Sequence, residues 1–311
     1  MSETLTIKRE LEIPKPRGLS SSARDKLIHA FFFLNGMLSV IALIGIFGLL
    51  VYTAVPAFQE INLWRFLTGA EWNPTSYYEA QYGIVPMLVS TMMVTFGALL
   101  IAIPLGIGTA AYLSDVAGPR TREIIKPVIE ILAGIPSVVV GFLGIVLVGP
   151  LIAKLFGTSN GLNAINGSIL LGVMALPTII SISEDALNSV PKTYDQASLA
   201  LGATRWQTVI RVKIPAAMSG IIAACMLGMG RAIGETMTVL MATGCAPAMP
   251  EGFLESVRTL TSSIAIELGE VAYNTTHYYA LFALGLVLFV ITFLINLTSD
   301  IVLHRYEKVN R

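Results

Sequence analysis

The stretch "NSVPKTYDQASLALGATRWQTVIRVKIPAA", Asn188 to Ala217, decides the fold, because it is a polar interruption between two long apolar runs. The 28 residues from Asn188 to Pro215 are too many for a turn and too few for a domain. Local rules shape them. Pro191 stands just before a segment, Lys192 to Leu201, whose residues favour helix, and Gly202 sits where a left-handed residue would end it. Ala197, Ala200 and Leu201 share one face, with Asp195 and Gln196 elsewhere. Trp206, Val209 and Ile210 resume a helical pattern that leads, past Pro215, into the next apolar run. The reading is a short amphipathic helix lying against the surface of a membrane domain.

Composition supports a membrane protein. Of 311 residues 54% are apolar and 13% charged, and the mean hydropathy is +0.73; soluble domains carry roughly 25% charged residues. Net charge is zero, so nothing in the total points to nucleic acid or to an anionic surface. Cys225 and Cys245 lie about 30 Å apart if both sit on one helix rising 1.5 Å per residue, too far to pair. No His, Cys, Asp and Glu spacing suggests a metal site.

A spanning helix needs about 20 mainly apolar residues. Six runs qualify: 28–55, 84–113, 127–153, 166–187, 216–245 and 277–303. The polar start reads as a cytoplasmic tail, 1–27, and not a signal peptide. The membrane domain is expected over 28–305, with 188–215 as its long inner loop and 306–311 as a short cytoplasmic end. No repeat or low-complexity tract divides it.

Orientation follows from basic residues. Six stand in the N-terminal tail, three in the second loop (Arg120, Arg122, Lys126), four in the long loop (Lys192, Arg205, Arg211, Lys213) and three at the C-terminus. The opposite side holds only Arg65, Lys154 and Arg258. The side rich in Lys and Arg faces the cytoplasm, so both termini and the long loop do. Trp64, Trp72, Tyr77, Tyr78, Tyr273, Tyr278 and Tyr279 fall on the outer side, either as an interfacial aromatic belt or as contacts for an external partner.

The twentieth basic residue is Arg231, within "GMGRAIGETMTVL", Gly228 to Leu240. An arginine in mid-bilayer costs about 2.5–3.5 kcal/mol on insertion scales. Glu235, four residues on, would share its face in a continuous helix. Two readings stay open: a buried pair that fixes helix register, or a substrate station in which a guanidinium fork grips an oxyanion. Ser137, Thr178 and Thr236 could add hydroxyl donors. Glu130, Glu184 and Asp185 suit packing or coupling at the inner side, and His29, His277 and His304 form no triad or metal site. An intramembrane hydrolase built on Ser137 would lack a histidine at its depth.

The long loop is similar to the EAA loop of ABC importer permeases, E-A-A, three residues, G, nine residues, I-x-L-P. Here it reads Gln196-Ala197-Ser198, three residues, Gly202, nine residues, Val212-Lys213-Ile214-Pro215. Gln196 stands where the family has glutamate, and Asp195 beside it offers the missing charge. "ILAGIPSVVVGFLG" (Ile131 to Gly144), "ALPTIISISEDAL" (Ala175 to Leu187) and "GRAIGETM" (Gly230 to Met237) resemble the phosphate-specific permeases of this class, the PstC type more than the PstA type.

The resemblance implies an all-α, polytopic, six-span type I importer permease in the cell inner membrane. It implies a substrate site at Arg231 and Glu235, with Ser137 and Thr236 as weaker members, and inorganic phosphate as cargo. Asp195, Gln196, Ala197, Ser198, Leu201 and Gly202 would form the ATPase-coupling helix. The partners implied are a PstA-type permease, two PstB-type ATPases and a PstS-type binding protein. This chain has no G-x-x-x-x-G-K-[ST] loop, so ATP and Mg²⁺ would be used by the ATPase and no cofactor would be bound here. Permeases for sulfate or molybdate, and an ion-coupled secondary transporter, are the alternatives.

Overall fold

The computed structural model describes residues 21–309, with side chains from 25 to 301. Residues 1–20 of the expected tail, and 310–311, lie outside the described residues. The chain divides into two compact units, 1–49 and 50–311. In the first, helix α1 (Ser21–Ala54) is mainly apolar on every side from Leu27 onward, as a lipid-facing helix must be.

The second unit contains the end of α1 and then α2 (Ala57–Glu60), α3 (Leu63–Thr68) and the hairpin β1 (Trp72–Asn73) and β2 (Gln81–Tyr82). The strands are antiparallel, Trp72 opposite Tyr82. Next come α4 (Val85–Ala111), α5 (Pro119–Gly134), α6 (Ser137–Leu143), α7 (Gly149–Phe156), α8 (Ala164–Ser189) and α9 (Lys192–Ala200). The chain closes with α10 (Arg205–Thr208), α11 (Ile214–Ala216), α12 (Met218–Gly234), α13 (Met237–Ala242), α14 (Leu260–Glu267) and α15 (Thr276–Val309). Single π-helical turns extend α4 over Tyr112–Val116, join α6 to α7 over Gly144–Val148, and join α10 to α11 over Val209–Lys213.

Among the described residues five helices are long and apolar enough to cross a membrane, and the pair Arg205–Ala216 and Met218–Gly234, bent by 73°, gives a sixth crossing when counted as one span. The expected third and fifth spans are not continuous. The run 127–153 divides at Ile135–Pro136 into α5 and a helical stretch Ser137–Phe156; the run 216–245 ends its main helix at Gly234 and restarts at Met237. Cys225 and Cys245 therefore do not share a helix. Cys245 lies beyond α13 with a positive φ of 59°.

The core is the seam between α4 and α8, on which α12 packs. Membrane helices gain little from apolar contact alone and associate where small residues let backbones approach. A Cβ on Gly106 would lie 2.6 Å from Ile179 Cγ2, one on Gly228 2.7 Å from Ile179 Cγ1, and one on Gly172 3.0 Å from the Ala98 carbonyl oxygen. Glycine at these positions sets the spacing of three helices. Asn163 caps α8 by accepting from the Asn166 amide at 3.0 Å, and the Asn166 side chain donates to the carbonyl of Gly144, where the π turn begins.

Candidate substrate and coupling sites

The fifth span stops because α12 runs out at Gly234 and Glu235 turns extended, φ −69° and ψ 130°. The third stops in the same way. Ile135 has φ −67° and ψ 126°, and in each break the amide of the extended residue bonds back three residues, Ile135 to Leu132 at 3.4 Å and Glu235 to Ala232 at 3.3 Å. Carbonyls freed by a break inside a bilayer need donors. Thr261, on α14, donates to the carbonyl of Glu235 at 2.9 Å. Thr238, fully buried on α13, donates to the carbonyl of Ser137 at 3.0 Å and also contacts Met174 Sδ at 2.9 Å.

These contacts meet α8 at two positions, Met174 and Thr178. Met174 and Thr178 are one helical turn apart on α8, about 6 Å along its axis. Met174 meets Thr238 and, through it, the restart at Ser137; Thr178 meets Arg231, whose Nη1 lies 3.3 Å from its hydroxyl. Ser137 opens a helical stretch of 20 residues. The first amides of such a helix lack intrahelical partners and carry the positive end of its dipole. Thr236 begins α13, half-buried, with its hydroxyl 3.3 Å from the Gly234 carbonyl.

The expected pairing of Arg231 with Glu235 is not found. Among the described residues no ion pair joins them within 4.0 Å. With the helix ended at Gly234, the i, i+4 relation no longer puts them on one face. Glu235 is half-buried, and the nearest recorded partner of its carboxylate is the Thr238 amide at 3.5 Å. Arg231 stays exposed at the end of α12. An anion at Arg231 would meet a guanidinium and the Thr178 hydroxyl beside it.

The inner loop folds as expected. Helix α9 begins after Pro191, and Gly202 takes φ +84° while its amide bonds Leu199 and that of Ala203 bonds Ser198. Thr204 and Gln207 then cap α10 reciprocally. The six coupling residues divide between two faces. Gln196 and Ala197 are exposed, and Leu201 is 90% exposed. Ser198 instead meets the Thr208 hydroxyl at 2.9 Å, and Asp195 turns inward to Lys213 at 3.6 Å. Asp195 is therefore not an outward substitute for the glutamate that Gln196 replaces. Glu184, buried, pairs with Lys126 at 3.5 Å and ties α8 to α5, a packing role; its neighbour Asp185 is exposed.

A further cluster stands at the outer end. Glu267 accepts from Trp72 Nε1 at 3.0 and 3.1 Å, from Arg258 at 2.7 Å, and lies 2.7 Å from His277 Nε2. Trp72, expected in an aromatic belt, is 3% exposed, whereas Tyr77 and Tyr78 are fully exposed. Sequence reading missed the contacts of Thr238, Thr261, Lys213 and Glu267, which reach across 26 to 195 positions, and with them the pairing of Arg258 with Glu267.

Residues 102–308 match the family described as "Binding-protein-dependent transport system inner membrane component". The chain is 42% identical, over 74% of its length and 74% of the relative's, to the "Probable ABC transporter permease protein YqgH" of Bacillus subtilis. It is 32% identical, over 90% and 94%, to the "Phosphate transport system permease protein PstC 1" of Mycobacterium tuberculosis. It is 30% identical, over 99% of both chains, to "Phosphate transport system permease protein PstC" of Xylella fastidiosa.

Among solved structures its fold is similar to a bacterial ABC transporter that imports alginate, with TM-score 0.60 at 16% identity over 91% of this chain and 96% of that one. It is also similar to the MetNI methionine ABC transporter, with TM-score 0.54 at 23% identity over 72% and 94%. The broken spans, the surface helix of the inner loop and these likenesses agree: the chain is a multi-pass inner-membrane permease that belongs to the binding-protein-dependent transport family, grouped there with the PstC-type permeases.

Proposed function

We propose that this chain is the PstC-type permease subunit of an ATP-driven importer that carries inorganic phosphate into the cell. The observation that carries the reading is Arg231, the membrane domain's lone mid-span cation by sequence, whose guanidinium lies 3.3 Å from the Thr178 hydroxyl and three residues before the fifth span breaks at Gly234. Anions bind where helix starts and a guanidinium face one space. Glu235 adds selection. Phosphate near neutral pH keeps P–OH donors and sulfate has none, so a carboxylate can accept from the first and repels the second.

The chain binds no cofactor of its own. ATP and Mg²⁺ are used by two PstB-type ATPases, which dock on the exposed face of α9 at Gln196, Ala197 and Leu201. A PstA-type permease completes the pathway, and a PstS-type binding protein delivers phosphate from outside. Closure of the ATPases displaces α9, and the spans switch access around Arg231. Permeases for sulfate or molybdate, and a secondary transporter, are less favoured, because the relatives named above include phosphate permeases over nearly the whole chain.

The deciding experiment co-purifies the complex and measures phosphate-stimulated ATP hydrolysis and uptake with and without Arg231→Ala. Stimulation in the wild type and its loss in the variant are expected. Phosphate uptake by this chain reconstituted alone would overturn the reading, as would stimulation by sulfate but not phosphate.

A further inference from the structure

Lys213 is a lysine at the inner end of the fifth span whose side chain is only 8% exposed. It lies in the π turn Val209–Lys213, just before the bend that opens α12. Its ammonium forms an ion pair with Asp115, in the π turn at the inner end of α4, and reaches Asp195, on α9, at 3.6 Å. The carboxylates are 14% and 28% exposed. Each is held through one oxygen, and the other, Asp115 Oδ2 and Asp195 Oδ1, is buried without a hydrogen-bond partner. One cation thus joins three elements: the surface helix, the second span and the lead into the fifth.

We propose that Lys213 is the positioning residue that converts displacement of α9 into movement of the spans. The inference rests on the reading of this chain as an ATP-driven permease. A helix docked on a partner by its outer face moves a membrane domain only if its inner face is tied to the spans. No residue of α9 is buried, and its Ala197 and Ala200 are exposed, so its apolar contact with the spans is shallow. The polar ties are Asp195 to Lys213 and Ser198 to Thr208.

Separating a buried ammonium from its carboxylates leaves an uncompensated charge. A pull on Asp195 therefore draws Lys213 with it, and Lys213 carries the start of α12 on one side and Asp115 on the other. The ammonium sits nearer Asp115 than Asp195. An ion between two carboxylates has two discrete seats, which is the kind of bistable contact that turns small shifts into a switch.

The test uses the complete complex in proteoliposomes, with phosphate uptake and ATP hydrolysis measured in parallel. Asp195→Asn leaves Lys213 paired with Asp115 and frees only α9. In this variant uptake per ATP hydrolysed falls about tenfold, within the range of ordinary coupling free energies, while complex yield and basal hydrolysis persist. Lys213→Met shows the same loss and Lys213→Arg restores coupling. A wild-type uptake-to-hydrolysis ratio in Asp195→Asn overturns the proposal. So does a loss in which uptake, hydrolysis and complex yield fall in proportion, because that marks a merely structural contact. Absence of ATP-dependent phosphate uptake in the wild-type complex would instead overturn the permease reading.

Discussion

The hydroxyl of Thr238 donates to the carbonyl oxygen of Ser137 at 3.0 Å, so the restart of the fifth span is fastened to the restart of the third. The Thr238 side of this contact is fully buried. Thr238→Val keeps the shape and removes the donor, which deletes one buried hydrogen bond at a net cost of about 0.5–1.5 kcal/mol. The purified complex should melt several degrees lower, with phosphate uptake reduced at all concentrations. An unchanged melting temperature would mean that the two breaks are held by packing alone.

Thr178 has a subtler part. Its hydroxyl lies 3.3 Å from Arg231 Nη1 and so holds one edge of an exposed guanidinium. Thr178→Val should leave assembly intact and raise the KM for uptake about threefold to tenfold, since a hydrogen bond to an exposed charged group contributes about 1 kcal/mol. Thr178→Ser should behave as wild type. Equal KM values for the valine and serine variants would remove Thr178 from the site.

Where sequence rules are local, the structure was legible. Pro191 and Gly202 bound α9 within a residue because each acts through its own φ. The six crossings follow from hydropathy alone. The break at Pro136 carried a signal, a proline two residues after Gly134. The break at Glu235 carried none as strong: its support is Thr261, 26 residues on, and no spacing rule links the two. The i, i+4 pairing of Arg231 and Glu235 assumed a continuous helix, and it fails for that reason. Lys213 was read as a loop cation counted for orientation; its burial depends on Asp115, 98 residues earlier. Trp72 looked like a belt residue because the sequence cannot show that Glu267 waits for its N–H.

That outer cluster ties distant parts of the second unit together. Glu267 gathers Trp72 from the hairpin, Arg258 from the loop before α14 and His277 from the start of α15, with side chains 14–18% exposed among the charged members. Glu267→Gln keeps the shape but leaves Arg258 without its counter-ion. A loss of about 2–3 kcal/mol is expected, below the 3–5 kcal/mol of a fully buried pair because water reaches the edge. Thermal unfolding of the purified complex measures it, and a difference under about 0.5 kcal/mol, the size of an ordinary surface change, would show the cluster to be solvated.

Because Arg231 is not engaged by Glu235, its fork is available to two oxygens of one anion, which an ammonium cannot match in plane. Arg231→Lys keeps the charge and should lower uptake at least about tenfold, the loss of one charge-assisted hydrogen bond of about 1.5–3 kcal/mol. Glu235→Gln should act differently: an amide still accepts from P–OH but no longer repels a fully ionised oxyanion. Phosphate uptake in Glu235→Gln should therefore become sensitive to competing sulfate where the wild type ignores it. If Arg231→Lys transports at the wild-type rate, the arginine contributes charge alone. If sulfate remains without effect on Glu235→Gln, the discrimination lies elsewhere than in that carboxylate.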